Sequence, residues 1–184
     1  VPTRPGARDR LVEATITLLR ERGVHGTGVA EVLERSGTAR GSLYQHFPGG
    51  KADLVAEATR SAGRRAARHV ARTSDGTAGS LLDALVDWWV ATLTKHDFGR
   101  GCPVAAAALD ETGATTDAAG RVFTGWTDEL AGLLGQDRDP EEARRLAGFV
   151  VSAVEGALLQ CRALRSTVPL EDARVVLRGL VSPS

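Results

Sequence analysis

GTARGSLYQHFPGGKADL, residues Gly37 to Leu54, carries one arginine, one tyrosine, one histidine and one lysine between glycines, with Asp53 its single acid. Gly37 falls where the chain must reverse within a few residues, and glycine tolerates the positive φ such turns demand. Upstream, Val29, Val32 and Leu33 recur at i, i+3 and i+4. That spacing predicts a short helix starting after Thr27 or Gly28 and ending before Gly37. Downstream, Leu43 and Phe47 lie one turn apart, so a second short helix follows, with Thr38 placed to cap it. Pro48-Gly49-Gly50 breaks that helix, and Lys51 opens a longer one reaching about Arg72. The pattern is helix, tight turn, helix: in that geometry the second helix lies in the major groove of DNA while the first crosses the backbone.

Placed at about 100° per residue, Leu43, Phe47 and Ala39 fall on the core side of the second helix. Gly41 and Gln45 point outward, flanked by Ser42 and Tyr44, and Arg40 projects from the first turn. Arg40 can donate two hydrogen bonds to guanine, Gln45 can pair with adenine, and Gly41 lets the backbone approach closely. Tyr44, His46 and Lys51 suit phosphates, Lys51 because a helix N-terminus already favours an anion. The competing use of Tyr44, His46 and Phe47 is a small aromatic core.

Composition agrees with a polyanion-binding head on a body that does not bind one. The 184 residues hold 23 basic and 23 acidic side chains, but 13 basic against 7 acidic lie between Val1 and Arg72, leaving 10 against 16 beyond. A basic module on an acidic body is the electrostatic footprint of a nucleic-acid partner. Cys102 and Cys161 form no CxxC pair and read as buried thiols. No uninterrupted apolar run reaches the roughly 18 residues of a membrane span, and VPTRPGARDR lacks the core of a signal peptide, so a cytoplasmic protein without a membrane partner is expected.

The string SLYQHFPGGKADL resembles the LYxHF…K signature of the TetR/AcrR family of bacterial transcriptional regulators, and the likeness extends back through GVAEVLERSGTARG. The doubled glycine before Lys51, one residue more than the broad family pattern, and GCPVAAAALDE (Gly101 to Glu111) are similar to the LmrA/YxaF-type subgroup. The resemblance implies an all-α homodimer: an N-terminal three-helix head with a helix-turn-helix over residues 1–50, and a larger ligand-binding and dimerisation body over 51–184. Carried over by position, it implies that Arg40, Gly41, Ser42 and Gln45 read bases and that Thr27, Tyr44, His46 and Lys51 hold phosphates. A small molecule bound in the body would release the DNA.

The body reads as helical throughout, for about nine helices in the chain. Leu11, Val12, Ile16, Leu18 and Leu19 mark the first, between Arg8 and Arg22, and Gly23 stops it. After a polar break at Thr73 to Gly79, Leu81, Leu82, Leu85, Trp88, Trp89 and Leu93 form a broad apolar face. A short alanine-rich helix follows Pro103, and Val122, Phe123, Trp126, Leu130 and Leu133 define another. Asp139-Pro140-Glu141-Glu142 starts a long apolar helix ending near Leu164, and a last helix follows Pro169. These final two are apolar around more of their circumference than one core needs, which points to a dimer seam, the alternative being the centre of a monomer. The aromatics of the middle region sit near small residues, as in a pocket for a small apolar or aromatic effector, or simply as core. The candidate lining is Leu85, Trp88, Trp89, Phe98, Cys102, Val104, Phe123, Trp126, Val150 and Val151. Glu155, inside VVSAVEGALLQC, must be paired, structurally or with a ligand's polar group.

Catalysis has little footing. His25, His46, His69 and His96 are scattered, HExxH, GxSxG, GxGxxG and Walker spacings are absent, and His96, Asp97 and Cys102 match no zinc pattern. No cofactor, metal or enzymatic activity is expected. The expected function is a ligand-responsive repressor binding palindromic double-stranded DNA as a dimer. The alternative is a small-molecule-binding protein or enzyme whose helix-turn-helix is incidental.

Overall fold

The computed structural model describes residues 5–182, and among them run nine α-helices and no strand. They are α1 (Ala7–Arg22), α2 (Val29–Ser36), α3 (Arg40–His46), α4 (Lys51–Thr73), α5 (Ala78–Lys95), α6 (Pro103–Ala108), α7 (Gly113–Leu134), α8 (Pro140–Leu164) and α9 (Val168–Val181). Two compact units divide them. The first holds the chain through Arg64 together with Cys102–Val122; the second holds Arg65–Gly101 and the chain from Phe123 onward.

The first unit is built on α1, whose Leu11, Leu18 and Leu19 are almost completely buried and meet Val32 of α2, Leu43 and Phe47 from α3 and its end, and Leu54 and Val55 of α4. α2 ends in the left-handed turn that its glycine predicts: Gly37 has φ 59° and ψ 38°, and the Thr38 amide donates back to the Leu33 carbonyl at 3.2 Å. The Arg10 Nε donates to the Ser36 carbonyl at 3.0 Å and fixes this corner to α1. The structure corrects two expectations about α3. Its N-cap is Ala39, in extended conformation and exposed, whereas Thr38 shares a 2.7 Å hydroxyl contact with Ser36 and caps nothing. The helix starts one residue later than expected, which removes Ala39 from its core face.

The α7 start is earlier than the large apolar residues suggest. Its first turns carry Thr115, Ala118 and Ala119, all fully buried, so small side chains in close contact replace bulky ones there. In the second unit, Leu82, Val86, Trp89 and Leu93 of α5 share a core face with Val150, Val154 and Leu158 of α8 and Leu170 and Leu177 of α9. α5 is capped by Thr77, whose hydroxyl accepts from the Ser80 amide at 3.2 Å; just before it the Asp75 carboxylate accepts from the Ser80 and Thr77 hydroxyls and the Thr77 amide, and these bonds, Ser80 first, lower its pKa to about 2. α8 begins as its sequence predicts, with Asp139 accepting from the Glu141 and Glu142 amides and Pro140 in the first turn. By length and composition alone α8 could cross a membrane, an 18-residue stretch of it having a mean hydropathy of 1.3. One side of it packs inside the second unit instead, from Ala143 through Ala147, Val154 and Cys161.

Gly37 and Gly41 separate backbone strain from crowding, because a Cβ at either would meet nothing within 4 Å. Gly37→Ala must hold alanine in the left-handed region and is expected to cost roughly 1–2 kcal/mol. Gly41→Ala, inside α3, should leave stability unchanged or raise it by up to about 1 kcal/mol. Urea denaturation of both variants checks this; equal midpoints would contradict it.

Candidate nucleic-acid interface and internal cavity

Burial of Leu43 at 0% and Phe47 at 4% decides which way α3 faces. Arg40, Gly41, Tyr44, Gln45 and His46 are all exposed, and Ser42 is half-buried. The tyrosine ring lies against the start of α4, where a Cβ on Gly50, at φ 67°, would sit 3.4 Å from Tyr44 Cε1. Gly50 therefore turns the chain at a positive φ, and the ring packs within van der Waals distance of it. The α4 start is closed by Asp53, which accepts from the Gly49 amide at 2.6 Å. Lys51 reaches back across the unit, its Nζ donating to the Val24 carbonyl at 2.8 Å. An ammonium has three donors, so two remain beyond that clasp.

Thr27 does not join this surface. It is 1% exposed, and its hydroxyl donates to the Gly23 carbonyl at 2.7 Å while its amide donates to the Val24 carbonyl at 3.1 Å. Its polar groups satisfy the tight link between α1 and α2, so it shapes the loop that Lys51 grips.

Most basic residues around α3 are already committed. Arg22 and Arg35 bind Glu31 at 2.8 Å each, and Arg35 also binds Glu21 at 2.7 Å. The Glu21 bond leads the influences that raise the Arg35 guanidinium above its ordinary value. Glu57 of α4 collects Arg8, Arg60 and Arg64 at 3.0–3.1 Å, and the Arg8 guanidinium also lies 5.6 Å from the centre of the Phe47 ring. Arg40, by contrast, is exposed and makes no ion pair with any described residue. It stands at the first position of the outward helix.

A separate feature lies in the second unit: a narrow cavity of about 70 Å³. Six of the ten residues expected to line a pocket do so: Leu85, Trp88, Trp89, Trp126, Val150 and Val151. Trp88 and Trp89 are 4.7 Å apart by ring centres, and His69 stands 5.6 Å from Trp88.

The other four are placed elsewhere. Cys102 and Val104 belong to the first unit, where α6 packs on α1; the Cys102 sulfur accepts from the Ala105 amide as the cap of α6. Phe98 sits in the loop after α5 at φ 57°, with the Arg165 guanidinium 5.9 Å from its ring centre. Phe123 makes an edge contact with Trp126 at 5.7 Å and is not in the wall. Sequence reading missed the tail of α4, Ala66, Ala67 and Val70, together with Glu129 and Val181. The i, i+4 spacing of Ala66 and Val70 was the available signal, but small residues on a helix announce only a close neighbour. Glu155, weighed separately, lines the cavity.

Glu57 links the pH response of the first unit to its arginines. Burial pushes its carboxyl up, but hydrogen bonds from Arg8, Arg60 and Arg64 outweigh that and hold it below its ordinary 4.5. A depressed carboxylate adds stability in full above the unfolded-state value and loses it as pH falls through the folded value. Glu57→Gln is therefore expected to be less stable than the parent chain near pH 7, with the gap narrowing below about pH 4.5. Thermal melts across that range test it, and a gap independent of pH would count against the assignment.

Residues 11–58 match the model of the bacterial regulatory proteins of the tetR family, and residues 78–175 match that of the transcriptional regulator LmrA/YxaF-like C-terminal domain. The chain is 37% identical to the uncharacterized HTH-type transcriptional regulator Rv0196 of Mycobacterium tuberculosis, over 96% of this chain and 94% of that protein. It is 25% identical to the HTH-type transcriptional regulator LmrA of Bacillus subtilis, over 89% and 90% respectively. A TetR transcriptional regulator from Legionella pneumophila has the same fold, with a TM-score of 0.85 at 21% identity over 98% of this chain and 100% of the other.

Proposed function

Because the chain belongs to the TetR family of bacterial transcriptional regulators, with an LmrA/YxaF-like C-terminal domain, and is a DNA-binding regulator of that kind, we propose that it is a cytoplasmic repressor. It occupies a palindromic operator as a dimer and lets go when a small apolar or aromatic effector enters the second unit. The observation that carries the DNA assignment is Arg40: exposed, without an ion pair among the described residues, and opening a helix whose opposite side is buried. Arg40, Gly41, Ser42 and Gln45 read base edges in the major groove. Tyr44, His46 and the remaining donors of Lys51 take phosphates on either side.

The dimer forms through α8 and α9. Leu159 is 69% exposed and Val175 75%, and Phe149, Leu164, Val168 and Val176 are exposed with them. A monomer rarely leaves so many large apolar side chains in water on adjacent helices. Two-fold pairing would cover them and set two α3 helices at about 34–36 Å or a multiple, on one side of the duplex. A dimer seated there blocks transcription by occupancy. The effector works by preferring a conformation in which the heads no longer fit both half-sites. The helix that opens at Lys51 continues to the cavity wall at Ala66 and Val70, so displacing those residues acts on the same helix that carries a DNA contact. A preference of about 1–3 kcal/mol changes operator affinity roughly 5- to 150-fold.

Three measurements test these assignments. Selection of host genomic fragments by the purified protein at near-physiological salt should recover a palindrome; retention without sequence preference would refute the operator reading. On that operator Arg40→Ala should cost about 1–3 kcal/mol and relax one base pair, whereas Lys51→Ala should weaken all duplexes alike and lower the salt slope by about one. Equal losses on operator and random duplex for both variants would refute the division of roles. Leu159→Glu combined with Val175→Glu should sediment as a folded monomer with weakened operator binding, and an unchanged dimer would move the seam elsewhere.

A further inference from the structure

Arg8, Arg22, Arg35, Arg60 and Arg64 of the first unit each meet a carboxylate. Arg10 is used differently. Half-buried on α1, it donates to two main-chain carbonyls, from Nε to Ser36 at 3.0 Å and from Nη1 to Pro5 at 2.8 Å. The Ser36 carbonyl ends α2, where the helix supplies no donor of its own, and a guanidinium there also suits the negative end of the helix. The turn that follows is closed by internal bonds: the Gly37 amide to the Glu34 carbonyl and the Thr38 amide to the Leu33 carbonyl, both at 3.2 Å, and the Ser36–Thr38 hydroxyl contact at 2.7 Å. Those bonds shape the turn without tying it to another element. Arg10 ties it to α1.

The apolar anchors of α3, Leu43 and Phe47, sit at its middle and just past its end, while its first turn, Arg40-Gly41-Ser42, carries no apolar side chain. Where that first turn lies is therefore set from upstream, by the turn that Arg10 holds. Resting on the reading of Arg40 as a base contact, we infer that Arg10 is a positioning residue for DNA recognition. It touches no base; by pinning the end of α2 to α1 it fixes where Arg40 enters the groove. A bidentate contact tolerates little displacement, because both hydrogen bonds weaken with distance and angle. The phosphate contacts of Tyr44, His46 and Lys51 stand on the anchored end of α3 and on α4, so they depend less on Arg10.

The test is binding selection from duplexes randomised over ~30 base pairs, room for two half-sites. The full-length parent chain is compared with Arg10→Met, Arg40→Ala and Gln45→Ala. Methionine keeps an apolar stem and removes every donor. Arg10→Met is expected to relax the same base pairs as Arg40→Ala and to keep those that depend on Gln45. On the duplex the parent chain enriches, it should bind about tenfold more weakly, part of what a whole bidentate contact is worth, with random-duplex affinity and the salt slope unchanged. Added to Arg40→Ala, it should lose almost nothing more, because both changes act through one contact. Loss of folded protein lowers binding to both duplexes together and cannot imitate this pattern. Arg10→Lys, which can still reach one carbonyl, should show the same pattern more weakly and serves if the methionine variant does not fold. Equal losses on both duplexes, with the salt slope lower by about one, would make Arg10 a phosphate contact instead. Unchanged base preference, or a loss that simply adds to that of Arg40→Ala, would overturn the positioning role and leave the DNA reading standing. If the parent chain enriches no sequence, or Arg40→Ala leaves the enriched one unchanged, the base-reading assignment fails and the role of Arg10 falls with it.

Discussion

A helix of seven residues cannot hold itself together in water; α3 exists because Leu43 and Phe47 are buried against α1 and α4. That one constraint dictates the outer surface of the first unit. With two anchors on one side, Arg40, Gly41, Tyr44 and Gln45 must lie on the other, and their exposure needs no separate device. The left-handed turn at Gly37 brings α3 onto the anchors at the right angle. The Lys51 clasp on Val24 then ties the start of α4 to the loop between α1 and α2, so the elements bordering the outward face are joined by hydrogen bonds as well as by packing.

In the second unit the governing constraint is the mismatch between large and small side chains. Indoles from α5 and α7 face alanines at the end of α4, and close packing of such unequal partners leaves a gap. α8 serves this unit from more than one side. Its buried stripe carries Val150, Val154 and Leu158, its cavity side adds Val151 and Glu155, and Phe149 and Leu159 remain outside. A helix with that many apolar positions satisfies a simple membrane criterion, yet the buried stripe and the cavity account for much of its composition.

The head was readable because its signals are local. Gly37, the Leu43–Phe47 pair and Pro48-Gly49-Gly50 each act within a few residues, so spacing alone placed three helix boundaries closely. The exceptions were also local: Ala39 fell outside α3 because a cap residue is extended and does not follow the helical period. The cavity was less readable, since lining depends on which helices meet. Cys102 and Val104 look like neighbours of an aromatic pocket along the chain, but α6 packs on α1 and buries them in the first unit. Ala66 and Val70 carried no sign of their partners. The start of α7 was missed for a related reason, because Thr115, Ala118 and Ala119 bury well without looking apolar in bulk.

The internal pairing of the head's arginines bears on how such a protein would find its target. With Arg8, Arg22, Arg35, Arg60 and Arg64 engaged by Glu21, Glu31 and Glu57, the basic surplus counted along the chain overstates the charge offered to phosphates. Fewer phosphate contacts mean fewer counterions released, and sequence-independent affinity falls steeply with each one removed. A chromosome presents roughly 10⁶ or more competing registers to every copy. A head that keeps its arginines on its own acids is held less by that bulk.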